Sequence, residues 1–370
     1  MKVSKLKIEN FKRFKNLEIE FVNKLTEDIS DQFLLLGDNG TGKTTILQAI
    51  ALCLAMCSGK IRSVSDFSWQ GWIPDRYEKW GTPLIELDVS FTNEEIDSTI
   101  EVAKKWLEFK KPQSNILPGN SKKLKLRLKG EWYDVLDENG KRSKASLFQL
   151  KGRSYATQLI RTSPGARVFF DTLPGFFWFD QFRNLASTPI QGDNNHPNKE
   201  DNSHTGRVFV DIGVSHLRRY LNGWKLNQMA GEVGGKDWLL ELENSYKKVF
   251  PGRSFKGLEP MHRGGVPAPE DYFFTLSDGN RSYDIEEMSA GEQSVFPMLF
   301  EFVRMQIRNS IVLIDEVDLN LHPPLAQSLV NALPVLGNNC QFILTTHSES
   351  VSTIVSPEEV YRIKGGRLCL

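Results

Sequence analysis

The sequence predicts an α/β fold, with a mainly parallel core sheet, an antiparallel N-terminal sheet and a helical insert, and three observations carry that prediction. The first is Gly37-Asp38-Asn39-Gly40-Thr41-Gly42-Lys43-Thr44, the pattern G-x-x-x-x-G-K-[ST], set between the apolar run 33–36 and a helical stretch at 44–57. The second is the continuous apolar run 311–314, which ends in Asp315 and Glu316. The third is a similar run, 341–344, ending in Thr345, Thr346, His347 and Ser348. Continuous apolar runs suit parallel strands buried on both faces, and such strands deliver polar groups at their carboxyl edge.

Each pattern has a chemical reading. Gly37, Gly40 and Gly42 let the backbone N–H groups around Asn39 turn inward onto a β-phosphate, and Lys43 reaches the β and γ oxygens. The Thr44 hydroxyl can hold Mg²⁺, Thr45 lies beside it on the first helical turn, and the helix N-terminus adds its positive end. A strand before and a helix after satisfy the context this loop needs, so the chain is expected to bind a nucleotide. Asp315 can bind Mg²⁺ opposite Thr44, while Glu316, pointing differently, can orient or deprotonate the water that attacks a γ-phosphate. His347 can donate a hydrogen bond to that phosphate, since its strand is expected to neighbour the Asp315 strand.

The remaining elements follow in chain order. Residues 3–9 and 17–22 alternate apolar and polar side chains, which predicts a hairpin with its turn at 12–15. Ile85, Leu87, Val89 and Phe91 alternate with acids and Ser90 in another antiparallel strand, and 93–109 reads as a helix opened by acids and closed by lysines. Residues 123–129 alternate leucine with Lys123, Lys125, Arg127 and Lys129. One face of that strand is wholly basic: a solvated sheet surface first, with a nucleic-acid backbone or a protein partner as competing readings. Residues 132–136 pair with a neighbour through the turn 137–140. Strand 176–180 precedes 192–206, a nearly apolar-free stretch expected to be a mobile loop, with His196 and His204 as loop residues. Helices are expected at 207–224 and 236–250, a hairpin at 272–276 and 282–286, and a helix at 291–307.

Composition excludes several classes. Lysine plus arginine equals aspartate plus glutamate, 46 each, so no global field announces nucleic acid or membrane. No apolar run approaches the roughly 20 residues of a membrane span, so a membrane is not an expected partner. Cys53, Cys57, Cys340 and Cys369 lack zinc-site spacing and read as buried reduced thiols, which fits a cytoplasmic protein.

Residues 288–293 (Met-Ser-Ala-Gly-Glu-Gln) open the 291–307 helix with a serine hydroxyl, a close-approach glycine and a helix N-terminus, which are anion-binding features. This segment resembles the signature motif of ATP-binding-cassette (ABC) ATPases, in the S-x-G-E form of the SMC/RecF-like and OLD-like branches. Residues 315–323 (Asp-Glu-Val-Asp-Leu-Asn-Leu-His-Pro) resemble the Walker B and D-loop of those branches, and 6–14 is similar to their N-terminal strand and turn. The resemblance covers 1–60 and 270–370 well and the middle poorly. It implies one P-loop NTPase of ABC head type over 1–370, with an N-terminal lobe at 1–194, the insert at 195–260 and a C-terminal lobe at 261–370. It further implies ATP and Mg²⁺ as ligands, Ser289, Gly291, Glu292 and Asp318 as nucleotide contacts, and Gln181 as a glutamine that meets Mg²⁺ and the attacking water. In that family the signature of one protomer caps the ATP held by another, so an ATP-driven homodimer is implied. Ala290 and Glu292 depart from the transporter form, and the long coiled coil of SMC proteins is missing.

Three functions compete. The first is a DNA-linked ATPase of antiphage defence working with a separate nuclease or effector. The second is a RecF-like repair ATPase that binds DNA directly, and the third a transporter subunit. The interval of about 240 residues between phosphate loop and signature speaks against transport. About 20 residues follow His347, too few for the TOPRIM nuclease of OLD enzymes, so any cutting is expected from another protein.

Overall fold

The computed structural model describes residues 1–110, 116–181, 214–231, 236–261 and 271–363. Two five-stranded sheets and one of three strands organise them. In chain order the elements are β1 (Lys2–Phe11), β2 (Phe14–Glu20), β3 (Gln32–Leu36), α1 (Lys43–Ser58), β4 (Leu84–Ser90), α2 (Asn93–Lys110), β5 (Lys123–Lys129) and β6 (Trp132–Leu136). Then come α3 (Lys144–Gln149), α4 (Gly152–Ile160), β7 (Gly175–Phe179), α5 (Val214–Met229), α6 (Trp238–Val249) and β8 (Ser254–Pro260). The chain continues through β9 (Tyr272–Ser277), β10 (Ser282–Asp284), α7 (Ala290–Arg304), β11 (Ser310–Ile314), α8 (Pro323–Leu336), β12 (Gln341–Thr346) and β13 (Val360–Arg362).

The parallel sheet has the order β13-β3-β12-β11-β7. Strands β3, β7 and β11 are apolar beyond their first residue, and β12 is apolar from Phe342 to Leu344, because both faces are covered. Phe33, Leu35, Phe176, Trp178, Ile311 and Leu313 pack on one side, into a core shared with α1 and the antiparallel sheet. Leu34, Phe177, Phe179, Val312, Ile314 and Leu344 pack on the other, against α5, α6, α7 and α8. Helix α1 is buried nearly all round, which its uniformly apolar sequence requires of a helix between two sheets.

The antiparallel sheet, β2-β1-β4-β5-β6, covers α1 with alternating leucines, isoleucines and valines and turns its charged side chains outward. The hairpin is tighter than expected: Phe11 pairs with Phe14, so the turn is Lys12-Arg13, with Lys12 at φ 50°. Strand β6 joins β5 directly after Gly130 and Glu131, whereas the turn at 137–140 leads to a bridge between Leu136 and Arg142. Strand β8 was not expected, and it completes a three-stranded sheet with the predicted hairpin β9-β10. Of the expected 207–224 helix, residues 207–213 lie outside the described residues and the rest forms Val214–Met229, longer at its end than expected, while the 291–307 helix stops at Arg304. The predicted loop 192–206, with His196 and His204, lies outside the described residues, as do Cys369 and the boundary at 194/195. The other three cysteines are buried and unpaired. No helix of the described residues is long and apolar enough to cross a membrane.

Candidate functional site

At the carboxyl edge of the parallel sheet, β3 runs into the phosphate loop and α1 begins at Lys43. Gly42, with φ 104°, must be glycine for two reasons. Its left-handed backbone disfavours a side chain, and a Cβ there would lie 2.6 Å from Arg13 Cδ and from the Phe14 ring. The β1–β2 turn is thereby seated on the loop, a contact that alternation in the strands could not reveal. Lys43 Nζ donates to the carbonyls of Gly37 (2.7 Å) and Asp38 (3.1 Å), folding the ammonium over its own loop. Burial lowers the Lys43 pKa, while Glu316, Asp315, Asp318 and Asp38 pull it back up.

The sheet order brings the acids to this lysine. Strand β12 lies between β3 and β11, and β11 carries Asp315 just past its end. The fully buried Asp315 carboxylate accepts from Thr44 Oγ1 at 2.9 and 3.1 Å and from Thr345 Oγ1 at 2.6 Å. Thr345 Oγ1 also accepts the Glu316 N–H at 2.7 Å, so one hydroxyl fixes both consecutive acids. Glu316 has φ 46°, a left-handed backbone that costs a non-glycine residue about 1 kcal/mol. Thr346 Oγ1 donates to Asp318 at 2.7 Å. The threonines were legible as a polar strand end, but their roles needed the register of β12 against β11. Gln181 is partly exposed two residues beyond Phe179, whose carbonyl accepts the Asp315 N–H, so it belongs to the same edge. His347 follows β12 there and is exposed.

The signature residues sit on a different element. Ser289 caps α7 in a reciprocal box with Glu292: its hydroxyl donates to Glu292 Oε2 at 2.7 Å and its N–H to the same oxygen at 3.0 Å. Glu292 was expected to meet nucleotide, but its carboxylate is turned inward and is 2% exposed. There it accepts from Tyr246 and, at 2.7 Å, from Tyr283, with Arg253 at 3.3 Å. Burial alone raises a carboxyl pKa, yet these donors leave Glu292 below its ordinary value. The side chain therefore secures the turn. Ser289 and Ala290 are exposed, and no hydrogen bond of Ser289 reaches the phosphate loop. Gly291 packs beside Leu325, Asn320 and Leu321.

The model of the family described as "AAA domain, putative AbiEii toxin, Type IV TA system" matches residues 33–352. The chain belongs to this family. It is an ATPase, and its parallel sheet, phosphate loop and strand-end acids are those of a P-loop ATPase. It is 23% identical over 399 residues to "Retron Vc95 probable ATPase" of Vibrio cholerae serotype O1 biovar El Tor, covering 97% of this chain and 73% of that protein. Identity to "Retron Ec83 probable ATPase" of Escherichia coli is also 23%, covering 99% and 72%. Among solved structures, the SMC head domain from Thermotoga maritima is similar at a TM-score of 0.45 and 16% identity, covering 98% of this chain and 94% of that one.

Proposed function

We propose that this chain hydrolyses ATP in a site completed by a second copy of itself, and that the ATP-bound dimer controls a separate effector in antiphage defence. The observation that carries the hydrolytic half is the Thr44–Asp315–Thr345 cluster with Glu316 held beside it in a left-handed backbone. Lys43 exchanges its two carbonyl acceptors for phosphate oxygens. Glu316 accepts a proton from the attacking water, and exposed His347 and Gln181 orient the γ-phosphate and that water. The hydroxyl of Thr44 and the carboxylate of Asp315 are hard oxygen donors that fit Mg²⁺. That ion, when bound, supplies charge neutralisation at the β and γ oxygens. Phe14, whose ring abuts Gly42, joins Leu17, Tyr361 and Ile363 with Lys24, Glu349 and Arg362 around a groove of about 880 Å³, whose apolar part suits the base.

Dimerisation is supported by the exposed signature turn, a helix N-terminus with Ser289 at its tip whose hydrogen bonds go to Glu292 and not to the phosphate loop of its own chain. The retron names of the relatives favour a defence role over repair. Direct DNA binding through β5 is disfavoured, because Lys125 lies 3.6 Å from Asp88 and Arg127 lies 2.6 Å from Glu86.

Mass measurement with and without ATP tests the dimer. Ser289→Arg is expected to abolish ATP-induced dimerisation and hydrolysis while monomer ATP affinity stays nearly unchanged. If this substitution instead prevents the monomer from binding ATP, the composite site is wrong.

A further inference from the structure

Helix α1 is about 24 Å long at 1.5 Å per residue, so its far end lies well away from the phosphate loop. At that end, on the amino edge of the parallel sheet, two cavities of about 500 and 280 Å³ share Lys60 and Ser154 as lining residues. The larger one has aromatic and aliphatic walls, among them Trp106, Leu107, Ile116, Phe148 and Tyr155. The smaller is lined by Arg153, Arg161, Arg167 and Arg304 as well as Lys60.

Lys60 and Arg153 differ from buried cations elsewhere in the molecule. Buried Arg218 is paired with Asp284 and Glu286 at 2.5 and 2.7 Å, and within this cavity Arg304 has a carboxylate partner, Glu301 at 2.7 Å. Lys60 instead donates weakly to the Phe176 carbonyl at 3.4 Å and sits 3.8 Å from the centre of that ring. No carboxylate of the described residues forms a salt bridge with Lys60, Lys151 or Arg153. Burial and the neighbouring Arg153 push Lys60 down to about 7, and burial lowers Lys151 as well. Lys151 Nζ lies over Gly59, next in sequence to Lys60. Arg153 is fixed by the carbonyls of Met305 and Gln306 at 2.7 and 2.8 Å and stacks 4.7 Å from Phe170. Partly buried cations without a salt-bridge partner are costly unless they shed the proton or an anion joins them, and an anion would restore their charge.

We infer that these adjoining cavities form a second nucleotide site, in which the aromatic chamber takes a base and the Lys60–Arg153 chamber takes a phosphate. Trp106 donates to Gln158 Oε1 at 2.8 Å, which orients the Gln158 amide on the wall of the base chamber. The larger chamber, at about 500 Å³, falls in the range of small-ligand sites. A free nucleoside monophosphate and the 5′-phosphorylated end of a nucleic-acid strand share this chemistry.

Calorimetric titration of the full chain tests the inference, with the Lys43→Ala variant used beside the wild type to remove the phosphate-loop site. The titrants are AMP, adenosine, inorganic phosphate and a 5′-phosphorylated trinucleotide. AMP is expected to bind both proteins, and adenosine and phosphate each to bind about ten-fold or more weakly, since each fills one chamber. Lys60→Met, and separately the exposed pair Arg161→Glu with Arg167→Glu, are expected to weaken AMP by about ten-fold, the worth of one charge-assisted contact. The rim pair is solvent-facing, so its result does not depend on the core tolerating Lys60→Met. A trinucleotide that binds more tightly than AMP assigns the site to strand ends, and the reverse order assigns it to free nucleotide. Loss of AMP binding with Lys43→Ala, or AMP affinity unmoved by both second-site variants, would overturn it. Neither result bears on ATP hydrolysis at the phosphate loop, so the two readings fail separately.

Discussion

The two five-stranded sheets of this protein enclose the same helix yet treat charge in opposite ways. The parallel sheet concentrates it. Asp315, Glu316, Asp318 and Lys43 all lie where its strands end, beside the start of α1, and between those ends and the amino edge nearly every side chain is apolar. The antiparallel sheet disperses it. Glu18 and Glu20 on β2, Lys5 and Lys7 on β1, Glu86 and Asp88 on β4, and Lys125 and Arg127 on β5 form columns of alternating sign across its outer face. At the parallel edge the acids outnumber the one lysine they act on, an imbalance that suits ligands. Alternating columns neutralise one another and need none. The comparison teaches that a row of like charges in one strand says little until its neighbours are known.

The largest effect that would sharpen this contrast is at the parallel edge. Glu316→Gln keeps the size of the side chain and removes the proton acceptor, so turnover is expected to fall on the order of 100-fold or more. ATP binding, measured by equilibrium dialysis, should be retained. Near-normal turnover would take Glu316 out of the catalytic role and leave the concentrated charge unexplained.

A smaller loss is expected one step back, at Thr345. Thr345→Val removes the hydroxyl that donates to Asp315 and accepts from the Glu316 N–H, leaving two buried polar groups short of a partner. Turnover should drop on the order of ten-fold, the range for losing a group that orients a ligand. Stability should fall by about 1–3 kcal/mol, read from the denaturant midpoint. Thr345→Ser keeps the hydroxyl and is expected to recover most of the turnover. If Val and Ser behave alike, Thr345 merely fills space.

How much of this was legible in the sequence follows from the same contrast. The phosphate loop and the strand carrying Asp315 could be read because each is local: a glycine pattern, or an apolar run that ends in acids. Antiparallel strands announced themselves by alternation, and β4 and β5 were found within a residue or so. What stayed hidden depended on partners distant in sequence. The neutralisation of Arg127 required Glu86, 41 positions away, to lie on the adjacent strand. The inward turn of Glu292 required Tyr246 from α6, a helix expected only as part of an insert. The packing of Arg13 and Phe14 on Gly42 had no periodic signal at all. Strand β8 was missed because Gly257 and Pro260 interrupt its pattern, and its edge position tolerates both.

The smallest expected effect tests whether the antiparallel face is as indifferent as its columns imply. Arg127 is 43% exposed and Glu86 15%, so their 2.6 Å pair is partly screened by water. A double-mutant cycle through Arg127→Ala, Glu86→Ala and the double variant should give a coupling of about 0.2–1 kcal/mol, the range of exposed ion pairs. Arg127→Glu should cost somewhat more than Arg127→Ala, because it sets like charges directly opposite across β4 and β5. Neither change reaches the phosphate loop, since both side chains stand on the face turned away from α1. ATPase activity should therefore stay at the wild-type level in every variant of the cycle. A coupling near zero together with a loss of nucleic-acid binding in Arg127→Ala would mean that the arginine is held for an external phosphate rather than for Glu86. The basic strand would then be an interaction surface after all, and the two sheets would differ in the size of their ligands instead of in whether they need one.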